Sequence, residues 1–255
     1  MTQPWVVIGR EDTPDGPFEL KRRGDRDFLM TLGGRVVMTS AEHRSEDALA
    51  ALACRPLRAR KAARVLVSGL GMGFTLRAAL SELAGDARVE VAELNAVTIV
   101  WCQGPLAALT SGAANDPRVS LEIIDVAHKI AGLGRTPEAP RFDAIVLDMY
   151  EGPRAVVPAS DPLYGPAAVL RTRDALAPGG ILAVWCEAKS LGFERSLRRA
   201  EMPFELHRVG RGGRVHLVYV ATRATLERRS TLAETKARPT AASPKRKPTV
   251  ARSRR

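Results

Sequence analysis

The sequence predicts an α/β protein built on a largely parallel sheet. A small antiparallel β segment precedes the sheet, and a disordered basic tail follows it. Three observations carry this reading. From Ala63 onward, short apolar strands alternate with helical spacing, as chains do when helices cover a parallel sheet. Before that, short apolar stretches are cut by the turn pairs Asp-Gly and Gly-Gly. After Leu232 apolar residues almost vanish, and Pro239, Pro244 and Pro248 break the remainder. Such a stretch cannot bury enough surface to offset its ordering entropy.

In chain order, Trp5–Ile8, Phe28–Leu32 and Val36–Met38 are separated by Asp15-Gly16 and Gly33-Gly34, which read as turns between antiparallel strands. Ser45-Glu46-Asp47 opens an alanine- and leucine-rich run to Cys54, read as a capped helix. The strands of the main sheet are Val65–Ser68, Val89–Ala92, Val119–Ile124, Ala144–Leu147, Ile181–Trp185, Phe204–Arg208 and Val215–Ala221, seven in all. Phe74–Leu83, Ala96–Leu109 and Ala167–Leu176 have helical spacing, the last stopped by Ala-Pro-Gly-Gly at 177–180. The final two strands, joined by Gly-Arg-Gly-Gly, form a closing antiparallel hairpin. The expected organisation is a β segment over 1–44, a ligand-binding α/β domain over 45–224 and a tail over 225–255.

Charge sharpens the division. Of the formal net charge of +11, residues 225–255 carry +8, from 10 Lys/Arg against 2 Asp/Glu. The tail is therefore either a non-specific polyanion contact, to nucleic acid or an acidic surface, or a solubilising extension. No aromatic residue interleaves with its charges to stack on bases. No apolar run approaches the ~18 residues of a membrane span. The first ten residues lack a secretory pattern. Three scattered cysteines, Cys54, Cys102 and Cys186, fit neither a disulfide framework nor a zinc site, and the four histidines share no ligand spacing. A cytoplasmic protein without a metal or membrane partner is expected, and a homodimer is left open.

The chemistry concentrates at strand ends. VLVSGLGMGFTLRAAL, residues 65–80, runs a buried strand into Gly69-x-Gly71-x-Gly73 and then a helix. Glycines there permit a tight turn and close approach of a ligand to the backbone. The spacing is neither the dinucleotide fingerprint nor a Walker loop, so a pyrophosphate cradle is disfavoured. The next strand ends in Glu93, placed to accept hydrogen bonds from ribose hydroxyls. The following tips carry Asp125, Asp148 and Glu187, with Tyr150 and Glu151 just beyond Asp148. A rim of carboxylates suits hydroxyls, amines or a sulfonium cation and disfavours an anion. Taken one at a time, each residue also has a purely structural reading: a turn glycine, a solvated strand end, a packing tyrosine.

Taken in order, these signals resemble the class I S-adenosylmethionine-dependent methyltransferase fold, and within it the spermidine synthase family of polyamine aminopropyltransferases. The segments that carry the resemblance are VLVSGLGMGFTLR, VAELN, DPRVSLEIIDV, FDAIVLDMYEGP and PGGILAVWCE, and it runs from about Asp27 to Thr222. It implies a Rossmann-like, methyltransferase-type sheet that binds S-adenosylmethionine or its decarboxylated form at Gly69, Gly71, Gly73, Glu93 and Asp125. It implies that Asp148 binds or deprotonates the attacking amine, with Glu151 in place of the family's second aspartate. Glu187 and Tyr150 then line the amine pocket. The implied reaction moves an aminopropyl group from decarboxylated S-adenosylmethionine to a polyamine. Methyl transfer from S-adenosylmethionine, or nucleoside binding without catalysis, are the alternatives. The family's glycine loop carries Asp where this chain has Met72. Its N-terminal segment carries a Gln and a Tyr where this chain has Met38 and no tyrosine.

Overall fold

The structure, a computed structural model, describes residues 3–134, 139–210 and 215–225. Met1–Ala224 forms one compact unit. The expected basic tail lies outside the described residues from 226 onward, as does the Gly-Arg-Gly-Gly turn beyond Gly210.

Four strands open the chain: β1 (Val6–Thr13), β2 (Gly16–Arg23), β3 (Asp27–Leu32) and β4 (Arg35–Thr39). They pair antiparallel in the order β1-β2-β3-β4. Alternation puts Phe18, Leu20, Phe28 and Met30 on one buried face. That face shares a core with Trp101, Leu49 and Phe74, so the small sheet is packed onto the α/β body. Helix α1 (Arg44–Cys54) follows. The cap expected at Ser45 is not used. His43 occupies the N-cap position without a side-chain cap, and the Ser45 hydroxyl donates to Glu46 instead, at 2.6 Å.

The main sheet contains seven strands in the order β10-β11-β9-β8-β5-β6-β7. They are β5 (Arg64–Ser68), β6 (Arg88–Glu93), β7 (Val119–Ile123), β8 (Phe142–Leu147), β9 (Leu176–Cys186), β10 (Phe204–Val209) and β11 (His216–Thr222). Strands β5 to β9 run parallel. The closing hairpin is antiparallel, but its last strand, β11, lies inside the sheet between β9 and β10. The central strands are buried on both faces, which is why they read as continuous apolar runs.

Helix α2 (Phe74–Glu82) follows the glycine loop, α5 (Pro166–Ala175) precedes β9, and α3 (Ala96–Gln103) stops earlier than its spacing suggests. Gly104 caps α3 and Pro105 cannot continue it, leaving a short 3-10 turn at Ala107–Thr110. Ala-Pro-Gly-Gly at 177–180 is already part of β9, where Gly179 and Gly180 pair with the Arg223 backbone. Helices α4 (Val126–Gly134) and α6 (Leu191–Arg199) complete the layers. Among the described residues, no helix is long and apolar enough to cross a membrane.

Parallel strands present all their carboxyl ends at one edge. Read along that edge from β7 to β9, the tips carry Asp125, Glu93, the glycine loop, Asp148 and Glu187.

Candidate functional site

The glycine loop is shaped by close approaches. Gly69 adopts φ +74°, and a Cβ there would lie 2.4 Å from the Asp148 carbonyl oxygen. The loop is thus locked against the next strand tip, and any side chain would force them apart. At Gly71, φ +51°, a Cβ would meet the Met38 sulfur at 3.0 Å. Met38, at the end of the small sheet, accepts a hydrogen bond from the Met72 N–H at 3.2 Å. The Met72 side chain is fully buried. Met38 and Met72 therefore make this end of the loop apolar.

Glu93 is buried at the adjacent tip. Its Oε2 accepts the Leu70 N–H at 2.7 Å, and its Oε1 accepts the Asn95 N–H at 2.8 Å. Two backbone N–H groups thus hold the carboxylate beside the loop, and each oxygen keeps a lone pair for another donor. Asp125 caps α4 by accepting the Ala127 N–H at 2.6 Å on Oδ1. Its Oδ2 lies 4.0 Å from His128 Nδ1, and the side chain is 43% exposed, so it can reach a ligand. Beside Glu93, the Leu94 side chain is held out to solvent.

Asp148 has a different setting. Its Oδ2 accepts the Thr75 hydroxyl at 2.5 Å, and Thr75 is itself buried at the start of α2. Its proton affinity is raised from 3.8 to about 7. Burial is the main cause, opposed by the Thr75 hydrogen bond and reinforced by the nearby Glu46 charge. Glu46, in the first turn of α1, was not anticipated. A strand-tip rule does not look at a helix that follows another sheet, and only the helix-first-turn acid pattern marked it.

A cavity of about 600 Å³ opens next to these groups. Its lining includes Met38, Glu46, Tyr150, Trp185, Glu187 and His216. Glu187 and Tyr150 therefore share a wall, as the sequence groups them. Glu151 does not line it. Its side chain is 63% exposed and pairs with Arg154 at 2.9 Å. Cys186 and Cys102 are buried thiols pushed up to about 12 by desolvation, which suits packing rather than nucleophilic chemistry. His43 is oriented by Asp47 at 2.8 Å and stacks on Phe74. Among the described residues, no group of three or more His, Cys, Asp or Glu side chains is arranged to hold a metal ion.

Five parallel strands, a reversed β11 inserted before the edge strand, and a glycine turn at the first strand of the α/β body define a Rossmann-like, methyltransferase-type fold. The more particular likeness is to spermidine synthases. One crystal structure, a spermidine synthase in complex with the transition-state analogue AdoDATO, superposes with a TM-score of 0.64 at 18% identity, covering 86% of this chain and 72% of that one. The spermidine synthase from Thermotoga maritima gives a TM-score of 0.65 at 18% identity, covering 86% and 73%. With its seven-stranded sheet and small N-terminal sheet, the chain has the spermidine synthase fold over 86% of its length. No protein-family model and no curated protein matches the sequence.

Proposed function

We propose that the protein is a spermidine synthase-like transferase that moves an aminopropyl group from decarboxylated S-adenosylmethionine to a polyamine. The observation that carries this reading is Asp148. It is a half-buried carboxylate with a proton affinity near neutrality, locked to the glycine loop and set beside an acid-lined cavity.

The residues present suit an adenosyl group. Glu93 offers spare acceptor capacity where ribose hydroxyls would lie, Asp125 faces solvent one tip further on, and exposed Leu94 offers an apolar face to a purine. Bound there, an S-adenosyl sulfonium supplies an activated carbon and a neutral thioether leaving group. The chain's own residues handle the amine. An alkylammonium has a pKa of ~10.4 and is almost wholly protonated at neutral pH. Asp148 accepts one proton from it, freeing a nitrogen lone pair. That pair forms the new N–C bond while the C–S electrons leave on sulfur. Glu187 attracts the cation and Tyr150 covers its alkyl chain. Holding both partners at adjacent tips makes the step effectively unimolecular.

Methyl transfer from S-adenosylmethionine is the second reading. For it, Met72 in place of the family's loop aspartate is less of a handicap, and the Met72 N–H meets the Met38 sulfur at this end of the loop. Contact of the basic 225–255 segment with a polyanion is a separate proposal, resting on its charge alone. The test of the main reading is turnover, read by mass spectrometry, with putrescine and spermidine offered alongside each form of the donor. Turnover only with the carboxylated form selects methyl transfer. Tight donor binding without turnover leaves nucleoside binding as the function. No binding of any S-adenosyl ligand overturns the proposal.

A further inference from the structure

The parallel strands begin at the edge of the main sheet opposite their tips, and that edge is basic. The connection into β5, residues 55–64, reads RPLRARKAAR, five Lys or Arg and no acid. Arg55 and Arg58 both pair with Glu82 at the end of α2, Arg55 at 3.0 Å. Arg60 pairs with Asp143 near the start of β8, at 2.7 Å. The two carboxylate side chains are covered, 11% and 9% exposed, while the Arg55, Arg58 and Arg60 side chains are 66%, 65% and 54% exposed. The pairs therefore turn their positive ends to solvent, and Glu82 serves two guanidinium groups at once.

Arg88 opens β6 as the register partner of Arg64, and both Arg88 and Lys61 are exposed. Among the described residues, neither side chain has a hydrogen-bond or ion-pair partner. Five cations thus meet Glu82, Asp143 and the exposed Asp86, while Arg64 and Lys129 are balanced by Glu90 and Glu122. Other arginines on this edge cap helix ends. Arg118 donates to the Leu80 and Ala84 carbonyls after α2, and Arg223 to those of Arg173 and Asp174 after α5. Among the described residues, Arg55, Arg58, Arg60, Lys61 and Arg88 have no such carbonyl to serve. The chain also leaves the sheet at this edge. Strand β11 ends at Thr222, opposite Ile181 of β9, and the sequence continues into residues 225–255, with 10 Lys/Arg against 2 Asp/Glu.

A phosphate backbone suits a surface whose charge is spread over several side chains, because each contact releases a condensed counterion. A lipid surface suits it less, since residues 55–64 and 84–88 expose no large apolar side chain to enter a bilayer. Neither stretch contains an aromatic residue on which a base could stack.

We infer that this edge binds the phosphodiester backbone of a nucleic acid, without regard to sequence, through Arg55, Arg58, Arg60, Lys61 and Arg88. It lies at the far end of the strands from Glu93 and Asp148, so it is independent of the S-adenosyl reading.

The test is fluorescence anisotropy of the full chain with a labelled DNA duplex of about 20 base pairs and a labelled single-stranded RNA of about 20 nucleotides, over ~50–200 mM salt. Lys61→Gln combined with Arg88→Gln removes two charges and leaves no carboxylate without its partner, so the melting temperature should not change. Each phosphate contact contributes about 0.9 to the slope of log affinity against log salt on a duplex and about 0.7 on a single strand. The double variant should therefore flatten the slope by roughly 1.5–2 and weaken binding about tenfold or more at ~0.1 M salt, alike for unrelated sequences. Arg22→Gln combined with Arg26→Gln removes the same charge from exposed positions of the small sheet and should change the slope far less. Equal losses in the two double variants would reduce the effect to net charge and overturn the assignment. So would wild-type affinity in the Lys61/Arg88 variant, which would leave the contact to residues 225–255, or an absence of salt-dependent binding by the wild type. Vesicles of phosphatidylglycerol and phosphatidylcholine are the competing probe. If the variant loses the vesicles but keeps both nucleic acids, the edge is a lipid contact and the inference falls.

Discussion

Glu93 and Asp148 end neighbouring tips on either side of one glycine loop, yet the loop treats them oppositely. Glu93 is held by two backbone N–H groups, from Leu70 and Asn95. Asp148 has one hydroxyl and a repelling carboxylate. Position along a strand is the same for both. What differs is the number of donors that meet the charge. A carboxylate that backbone dipoles have already satisfied is fixed as an acceptor, whereas one that is desolvated and under-donated can take up a proton near neutral pH. The two halves of the site thus divide into a binding edge and a reacting edge.

The largest expected effect breaks the reacting edge. Asp148→Asn preserves shape and removes both charge and base. Loss of a general base costs about 10²–10⁴-fold in rate. Single-turnover kinetics should show this loss while calorimetry shows donor affinity unchanged. A matching fall in donor affinity would show that Asp148 belongs to the binding edge after all.

The next effect is on stability. The Asp148 proton affinity is raised on folding, from 3.8 to about 7, so the folded state favours the protonated form. The resulting stabilisation is full below pH ~4 and is lost as pH rises through ~7. Its size is on the order of 2–4 kcal/mol. Denaturant titrations of the wild type and Asp148→Asn from pH 4 to 8 should therefore diverge, with the Asn variant progressively the more stable of the two. Parallel curves would mean that Asp148 is ionised throughout.

The sequence made the tips legible and the donors invisible. Parallel strands must end at one edge, so VAEL and IVLD place Glu93 and Asp148 there from pattern alone. Nothing in the pattern tells that the Leu70 N–H turns toward Glu93, or that Thr75 turns toward Asp148, since both depend on the φ values of the glycine loop. Glu46 escaped for a related reason. It reaches the site through packing of α1 on α2, a contact between residues thirty positions apart. Helix α6 was legible in principle, because Ser190 is an N-cap that accepts the Phe193 N–H, but its apolar face is short. The early stop of α3 was written in Gly104-Pro105.

A smaller effect tests the binding edge. Glu93→Ala removes two hydrogen bonds to a charged group and leaves the Leu70 N–H, in a buried residue, without its acceptor. Adenosyl affinity should fall tenfold or more, and stability by about 1–3 kcal/mol. The sign on stability is thus opposite to that of Asp148→Asn above pH 7. Unchanged affinity would remove the adenosyl site from this edge, and unchanged melting would show that the loop does not depend on Glu93.

The smallest effect concerns Glu151, three residues beyond Asp148. Sequence alone groups it with the amine-binding carboxylates. In the structure it lies at the surface, paired with an Arg154 that is itself 80% exposed. Such pairs contribute little, because solvent screens them and two long side chains must be held in place. Glu151→Ala should therefore leave stability within about 0.5 kcal/mol, as surface substitutions usually do. It should also leave the KM for the amine within about twofold, since a screened charge outside the cavity adds less than ~0.4 kcal/mol to binding. Glu187→Ala is the matched control, because Glu187 lies in the cavity wall. Its loss should raise that KM severalfold with donor affinity unchanged. If Glu151→Ala instead matched or exceeded Glu187→Ala, the chain after Tyr150 would have to fold inward when substrate binds. The reacting edge would then include a third carboxylate, supplied by the 149–154 turn.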